Sequence, residues 1–323
     1  MQLTGGFERL KLVGEDGCVL VEPCLSVRLY AALSAQSLAD ESTDLLWPYQ
    51  AFVEDFGGSL TWCYTDGNQS RPAPVTAARL ARWPQEIAEA RGAQKGMFFC
   101  DLRSGRRPLE RLPPSLEVRI DCGVPPQRPH LVLVDLSLPL TWFELQGDIG
   151  VRGYLDRLLG QGFPLSSGLV GFGLAYNRLA VRDIHGPALG YWLSRHPGLV
   201  TTTTHQEAFG ACDTLPDISW MTLLGPALCE RAGGIQTLQQ KLSTIPIARI
   251  FPLAKGGAIV QIGDRPQLGD AETGDYLVDY QRVGQTLSTL RNAARMAEYD
   301  RPFGLSSEED RLRWVNRFFP ATA

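Results

Sequence analysis

Lys255-Gly-Gly-Ala-Ile-Val-Gln-Ile-Gly-Asp-Arg-Pro-Gln-Leu-Gly-Asp270 decides the fold class, because it carries the glycines of a ligand loop without the spacing of one. A phosphate-cradling loop ends in Gly-Lys-Ser/Thr, and here Lys255 comes before the glycines. The dinucleotide fingerprint needs three closely spaced glycines between a strand and a helix, whereas Gly256, Gly257, Gly263 and Gly269 are spread out. Nucleotide-binding α/β folds lose their main support, and no cofactor is expected. What remains is a strand, Ala258 to Ile262, entered through Gly256-Gly257 and left by a turn at Asp264-Arg-Pro266.

Strand signals recur on the N-terminal side of that stretch. Cys18 to Leu33 is β-rich, a helical stretch runs on to Phe56, and a strand follows from Ser59 to Tyr64. His130 to Trp142 is again β-rich, with a helical stretch near Val151 to Leu159 and a strand from Leu169 to Tyr176. The repetition suggests two related strand-helix-strand lobes. Cys122-Gly-Val-Pro-Pro-Gln-Arg-Pro129 is the expected boundary between an N-terminal lobe, 1–126, and a C-terminal lobe, 127–323. Leu116, Val118, Ile120 and Cys122 alternate with Glu117, Arg119 and Asp121, the pattern of a half-buried strand. Met97 to Leu102 pairs with it through a hairpin loop at Arg103 to Pro108.

Helical periodicity marks Pro74 to Arg91 and, most regularly, Tyr276 to Arg295, with Tyr276, Tyr280, Val283, Leu287 and Leu290 on one stripe. Pro226 opens a short helix that Gly233-Gly234 ends, and a second helix carries Leu238 and Leu242. Ser306-Ser-Glu-Glu309 reads as a capping box for a last helix bearing Leu312, Val315 and Phe319. Ser166-Ser-Gly168 reads as a turn. Hairpin-like neighbours are frequent, so the fold class is α+β, with mixed or antiparallel sheets covered by helices.

The chain has 323 residues, 44% hydrophobic and 20% charged, which is ordinary globular composition. No uninterrupted apolar run reaches membrane-spanning length, and the N-terminus lacks a basic start followed by an apolar segment. A cytoplasmic protein without a membrane partner is expected. The seven cysteines form no Cys-x-x-Cys pair, which argues against a disulfide framework and against a zinc ribbon. Net charge is −4 and arginines are interspersed with acids, so direct nucleic-acid binding is not expected. The acids at Asp264, Asp270, Glu272 and Asp275 would instead suit a basic partner.

Catalytic signatures are sparse. His130 opens a strand, His196 ends a helix, and Asp183-Ile-His185 has no second metal-ligand cluster. His205 beside Glu207 is the most enzyme-like pair, since a base near a carboxylate could move a proton. Four preceding threonines favour an extended edge segment there instead. No Gly-x-Ser-x-Gly elbow is present. Trp192 and Trp220 are candidate interface anchors, because tryptophan is enriched at binding hot spots.

Four segments in order carry a resemblance: Phe163-Pro-Leu-Ser-Ser-Gly168 running into Gly171-Phe-Gly-Leu174; Arg195-His-Pro-Gly-Leu199; Ile218-Ser-Trp-Met-Thr-Leu-Leu-Gly225 with Gly233-Gly234; and Gly256-Gly257 with Gly263-Asp-Arg-Pro-Gln-Leu-Gly-Asp270. Together they resemble the bacterial type VI secretion immunity family associated with VRR-Nuc-type nuclease toxins. The resemblance implies a cytoplasmic, non-enzymatic protein that binds and silences a cognate effector toxin by occluding its active or DNA-binding surface. It supplies no catalytic or metal-binding residues. The expected contacts are Asp264, Asp270, Glu272, Asp275, Trp192 and Trp220. The alternative readings are an enzyme using His205 and Glu207, and a secretion adaptor or chaperone.

Overall fold

The computed structural model describes residues 8–33, 42–65, 72–92, 98–121, 129–160, 162–177, 186–200, 213–299, 304–305 and 307–319. The strands are β1 (Leu12–Val13), β2 (Val19–Leu33), β3 (Trp62–Thr65), β4 (Ala73–Pro74), β5 (Phe98–Ser104), β6 (Leu112–Ile120), β7 (His130–Leu138), β8 (Leu165–Tyr176), β9 (Met221–Leu224), β10 (Ala248–Pro252) and β11 (Ala258–Ile262). The helices are α1 (Ser42–Phe56), α2 (Ala77–Gly92), α3 (Leu140–Leu159), α4 (Gly186–Arg195), α5 (Pro226–Arg231), α6 (Gly234–Leu242), α7 (Val278–Thr286), α8 (Ala293–Tyr299) and α9 (Glu308–Val315).

All of these strands join one 11-stranded sheet, ordered β10-β11-β9-β8-β2-β7-β6-β5-β3-β4, with β1 beside β2. Every ladder in it is antiparallel. The long strand β2 lies between β7 and β8, so a strand from the first third of the chain is paired on both edges by strands that follow the expected 122–129 boundary. The proline-rich boundary expected at 122–129 falls almost wholly outside the described residues.

One face of the sheet is apolar. Val27 stands opposite Leu136 and Val170, Leu136 opposite Leu116, and Leu116 opposite Leu102. Helices cover this face through aromatic contacts. Tyr49 of α1 stacks on Trp83 of α2 at 4.9 Å, and Trp83 meets Phe98 of β5 edge-on at 6.0 Å. Phe56 of α1 packs edge-on against Trp142 and Tyr154 of α3 at 6.4 and 6.3 Å. Further along, Phe143 of α3 meets Phe172 of β8 and Trp220 at 6.4 and 5.4 Å.

The other face departs from expectation. The alternation in 116–122 predicts a strand with its charged side in water, yet Glu117 and Asp121 are buried along with the apolar side. For Glu117 the cause is a charged row running across strands. Arg28, Asp135, Glu117, Asp101 and Tyr64 stand opposite one another in turn. Arg28 lies 3.8 Å from Asp135, Arg103 pairs with Asp101 and sits 4.3 Å over the Tyr64 ring, and Arg119 lies 2.5 Å from Glu117. Arg111, just before β6, reaches Glu117 at 3.6 Å and Asp101 at 3.8 Å. Buried charges persist only when matched in this way.

Several element boundaries differ from the sequence reading. The β-rich run from His130 stops at Leu138, because Pro139 carries an extended backbone into the first residue of α3. Ser166-Ser-Gly168 lies inside β8 and is not a turn; Ser166 Oγ accepts the Ala32 amide at 3.1 Å. The long helix expected over Tyr276 to Arg295 is divided. Leu277 is left-handed (φ 55°), α7 ends at Thr286, and Asn292 starts α8 by accepting the Arg295 amide at 3.0 Å. The last cap is Ser307 rather than Ser306: its hydroxyl accepts the Asp310 amide at 3.0 Å. Among the described residues no helix is long and apolar enough to cross a membrane.

Candidate functional site

The glycine stretch behaves as its spacing predicts. Gly256 is left-handed (φ 91°), and a side chain on Gly257 would lie 2.4 Å from the Leu224 carbonyl oxygen. The pair therefore makes the tight β10–β11 turn, with β11 pressed against β9. Beyond β11 the chain forms a surface loop held on the end of α4. The Gly198 amide donates to Leu268 O at 2.7 Å, His196 Nδ1 lies 2.8 Å from Gly269 O, and the Ala271 amide donates to Arg195 O at 2.8 Å. Asp270 and Asp275 exchange backbone hydrogen bonds of 2.9 Å, which closes the tip.

Within that loop the four acids have unequal surroundings. Arg195 donates to Asp270 Oδ2 at 2.7 and 3.2 Å and lies 2.7 Å from Glu272. The Tyr191 hydroxyl also donates to Glu272 at 2.9 Å. The Arg195 hydrogen bonds hold the Asp270 carboxyl below its ordinary 3.8. Asp264 pairs with Arg249 at 2.8 Å, and Asp275 accepts the Leu277 amide at 3.3 Å, just ahead of α7. Three of the four negative charges thus meet an arginine within this protein. Tyr191, Tyr276 and Val278 stand exposed beside them.

Trp192 is half-buried against the core. Trp220 is 1% exposed, donates its indole N–H to Gly263 O at 3.1 Å, and forms no part of the surface. His130 is a buried strand residue whose Nδ1 lies 2.8 Å from Asp121 O. His185, His205 and Glu207 lie outside the described residues.

Another surface was not read from the sequence. Helix α3 is broken at Gly147, whose backbone (φ 62°, ψ −169°) is non-helical. At this elbow Leu145 is 84% and Ile149 73% exposed, the two most exposed large apolar side chains among the described residues. The elbow is anchored from below. Arg152 donates to Asp148 at 2.7 Å and to Gln261 of β11 at 2.6 Å, and its guanidinium lies 4.2 Å over the Phe251 ring of β10. The legible sequence signal was an apolar pair four residues apart, lying off the Tyr154–Leu159 core stripe and flanking a glycine.

At its C-terminal end α3 borders a cleft of about 680 Å³. Leu159, Phe163, Leu228 and Leu253 supply apolar wall, Asp156 lies on the α3 side, and Lys255 on the β10–β11 turn. Burial raises the Asp156 carboxyl above its ordinary 3.8 and Arg152 opposes this. Among the described residues Asp156 has no ion pair, since Arg152 is engaged by Asp148 and Gln261.

No curated protein matches the chain. Among solved structures it is similar to the Pseudomonas aeruginosa T6SS protein PA0821, at 20% identity and a TM-score of 0.71, over 96% of this chain and 87% of that one. That likeness shows a shared fold. The family model TsiV, described as type VI immunity for VRR-NUC, matches residues 49–318. This span holds the sheet from β3 to β11 and helices α2 to α9 in full. The chain belongs to the TsiV family of type VI immunity proteins.

Proposed function

We propose that this immunity protein acts in the cytoplasm by binding a VRR-Nuc nuclease toxin and covering the surface with which it grips or cuts nucleic acid, with no catalysis of its own. Family membership over residues 49–318 carries this reading. The physical argument is complementarity. A nuclease must attract a polyanion and so presents a basic surface, which an inhibitor of net charge −4 can approach quickly. Co-expression tests the reading: cells making the VRR-Nuc toxin should grow when this protein is present. A purified toxin that keeps full nuclease activity in saturating excess of the protein would refute it. His205→Ala should leave protection intact. A loss beyond ~100-fold with the fold unchanged would instead favour an acid–base role, the usual cost of losing such a group.

A further inference from the structure

The outer side of α3 has features that its place in the fold does not require. Leu145 and Ile149 gain nothing from standing in water, and a non-helical glycine is used to hold them there. Arg152, Asp148, Gln261 and Phe251 fix the elbow from beneath, so the apolar pair is presented without further ordering on contact. One helical stripe continues from Ile149 through Gly153, which leaves a bare step, to Asp156 at the cleft mouth. Asp156 on this side has no ion pair among the described residues, and neither has the exposed Glu144 before the elbow. That separates them from Asp264, Asp270 and Glu272, which are met by Arg249 and Arg195.

We propose that the outer side of α3 and its adjoining cleft dock the basic, nucleic-acid-gripping surface of the toxin, with a toxin arginine or lysine entering the cleft to pair with Asp156. The cleft suits such a guest. Its apolar wall accepts the aliphatic stem; of the two carboxylates that line it, Asp213 is paired with Arg295 at 2.7 Å, and Asp156, from α3, takes the charged head. Lys255 and Arg231, the latter donating to Asp213 O at 2.5 Å, stand on other walls and confine a cation to the Asp156 side. Leu145 and Ile149 then form the dry centre beside the charged contact.

This proposal rests on the toxin-binding reading, and one experiment separates their failures. Affinity for the inactivated VRR-Nuc toxin is measured for the wild-type protein and for Asp156→Lys, Asp156→Glu, Ile149→Asp and Glu15→Lys. Asp156→Lys and Ile149→Asp should each weaken binding by roughly tenfold or more, as loss of a central contact does. Asp156→Glu should retain most affinity, and Glu15→Lys, the same charge change at an exposed site elsewhere, should change it little. Ile149 faces solvent, and Asp156, at the cleft mouth, has no ion pair to lose among the described residues, so melting temperatures should stay close to wild type. Tight wild-type binding that survives Asp156→Lys and Ile149→Asp, or that falls equally with Glu15→Lys, would overturn this surface alone. Absence of wild-type binding would overturn the functional reading and the surface with it.

Discussion

At the residue scale the protein is defined by arginines that answer acids in the interior. Arg111 is the clearest case. Burial alone would lower its pKa, but Asp101, Glu117 and Asp135 outweigh that and keep it charged. Replacing Arg111 with Leu would leave these acids buried beside one cation fewer. A loss of roughly 3–5 kcal/mol is expected in urea unfolding, the range for breaking a buried charged contact from one side. Glu110 gives a pH-dependent counterpart. Its carboxylate accepts the Val19 amide at 3.1 Å and the Arg106 and Arg107 amides at 2.6 and 3.1 Å, pinning the β5–β6 hairpin loop to β2. Burial pushes this carboxyl up, but the three amides and the Arg107 charge bring it below its ordinary 4.5. A depressed folded-state pKa stabilises above the unfolded value. The contribution should therefore be complete above about pH 4.5 and disappear as pH falls through the lower folded value. Glu110→Gln should lower stability at neutral pH and flatten the acid limb of a melting-temperature profile. An unchanged acid limb would show that Glu110 carries no such linkage.

At the element scale α3 joins core and surface. Phe143, Val151, Leu155 and Leu158 bury one side, while Leu145 and Ile149 stand out on the other. Gly147 sets that division through its backbone, since a side chain there would meet nothing within 4 Å. Gly147→Ala should therefore cost ~1–3 kcal/mol from backbone strain alone. Thermal melts read this directly, and an Ala variant as stable as wild type would mean that the elbow relaxes without loss. The helix after the glycine stretch teaches a related lesson. Four of the five residues of its stripe, Tyr280, Val283, Leu287 and Leu290, are buried, whereas Tyr276 lies ahead of α7 and is 51% exposed. Periodicity does not register that Leu277 turns left-handed, or that the Thr214 hydroxyl accepts the Asn292 amide at 2.6 Å and starts a new element.

At the scale of the whole molecule a single antiparallel sheet carries both candidate contact regions. Arg249 and Phe251 share the face of β10 on which α3 packs, because Gln261, opposite Arg249, bonds to Asp148 and Arg152. The Arg249–Asp264 pair thus lies at one end of a band that continues past the elbow of α3. We expect the 264–275 loop to contribute at the rim. Reversing Asp264 and Glu272 to Lys should slow association with the toxin several-fold, most at low salt, where screening is weakest. Monomer stability should move by only ~0–1 kcal/mol, the usual worth of exposed pairs. Equal association rates for the variant and wild type across a salt series would remove the loop from the interface.

The sequence by itself determined the α+β class, the antiparallel hairpins and the Gly256-Gly257 turn. Those are local matters, written in alternation, in turn residues and in glycine spacing, and the four-segment resemblance pointed to the immunity family. Only the tertiary structure decided that Glu117 and Asp121 are interior: β5 and β7 flank Glu117 and Arg111 reaches it from before β6, while the Asp121 backbone is paired with Leu131 and His130 of β7. The same holds for Trp220, which is apolar mass in any sequence and a core residue only because Phe143 closes over it. The charge of the 264–275 loop is likewise a tertiary quantity. Four acids are legible in the chain, but the arginines that answer them, Arg195 and Arg249, come from α4 and β10 and reach them only through folding.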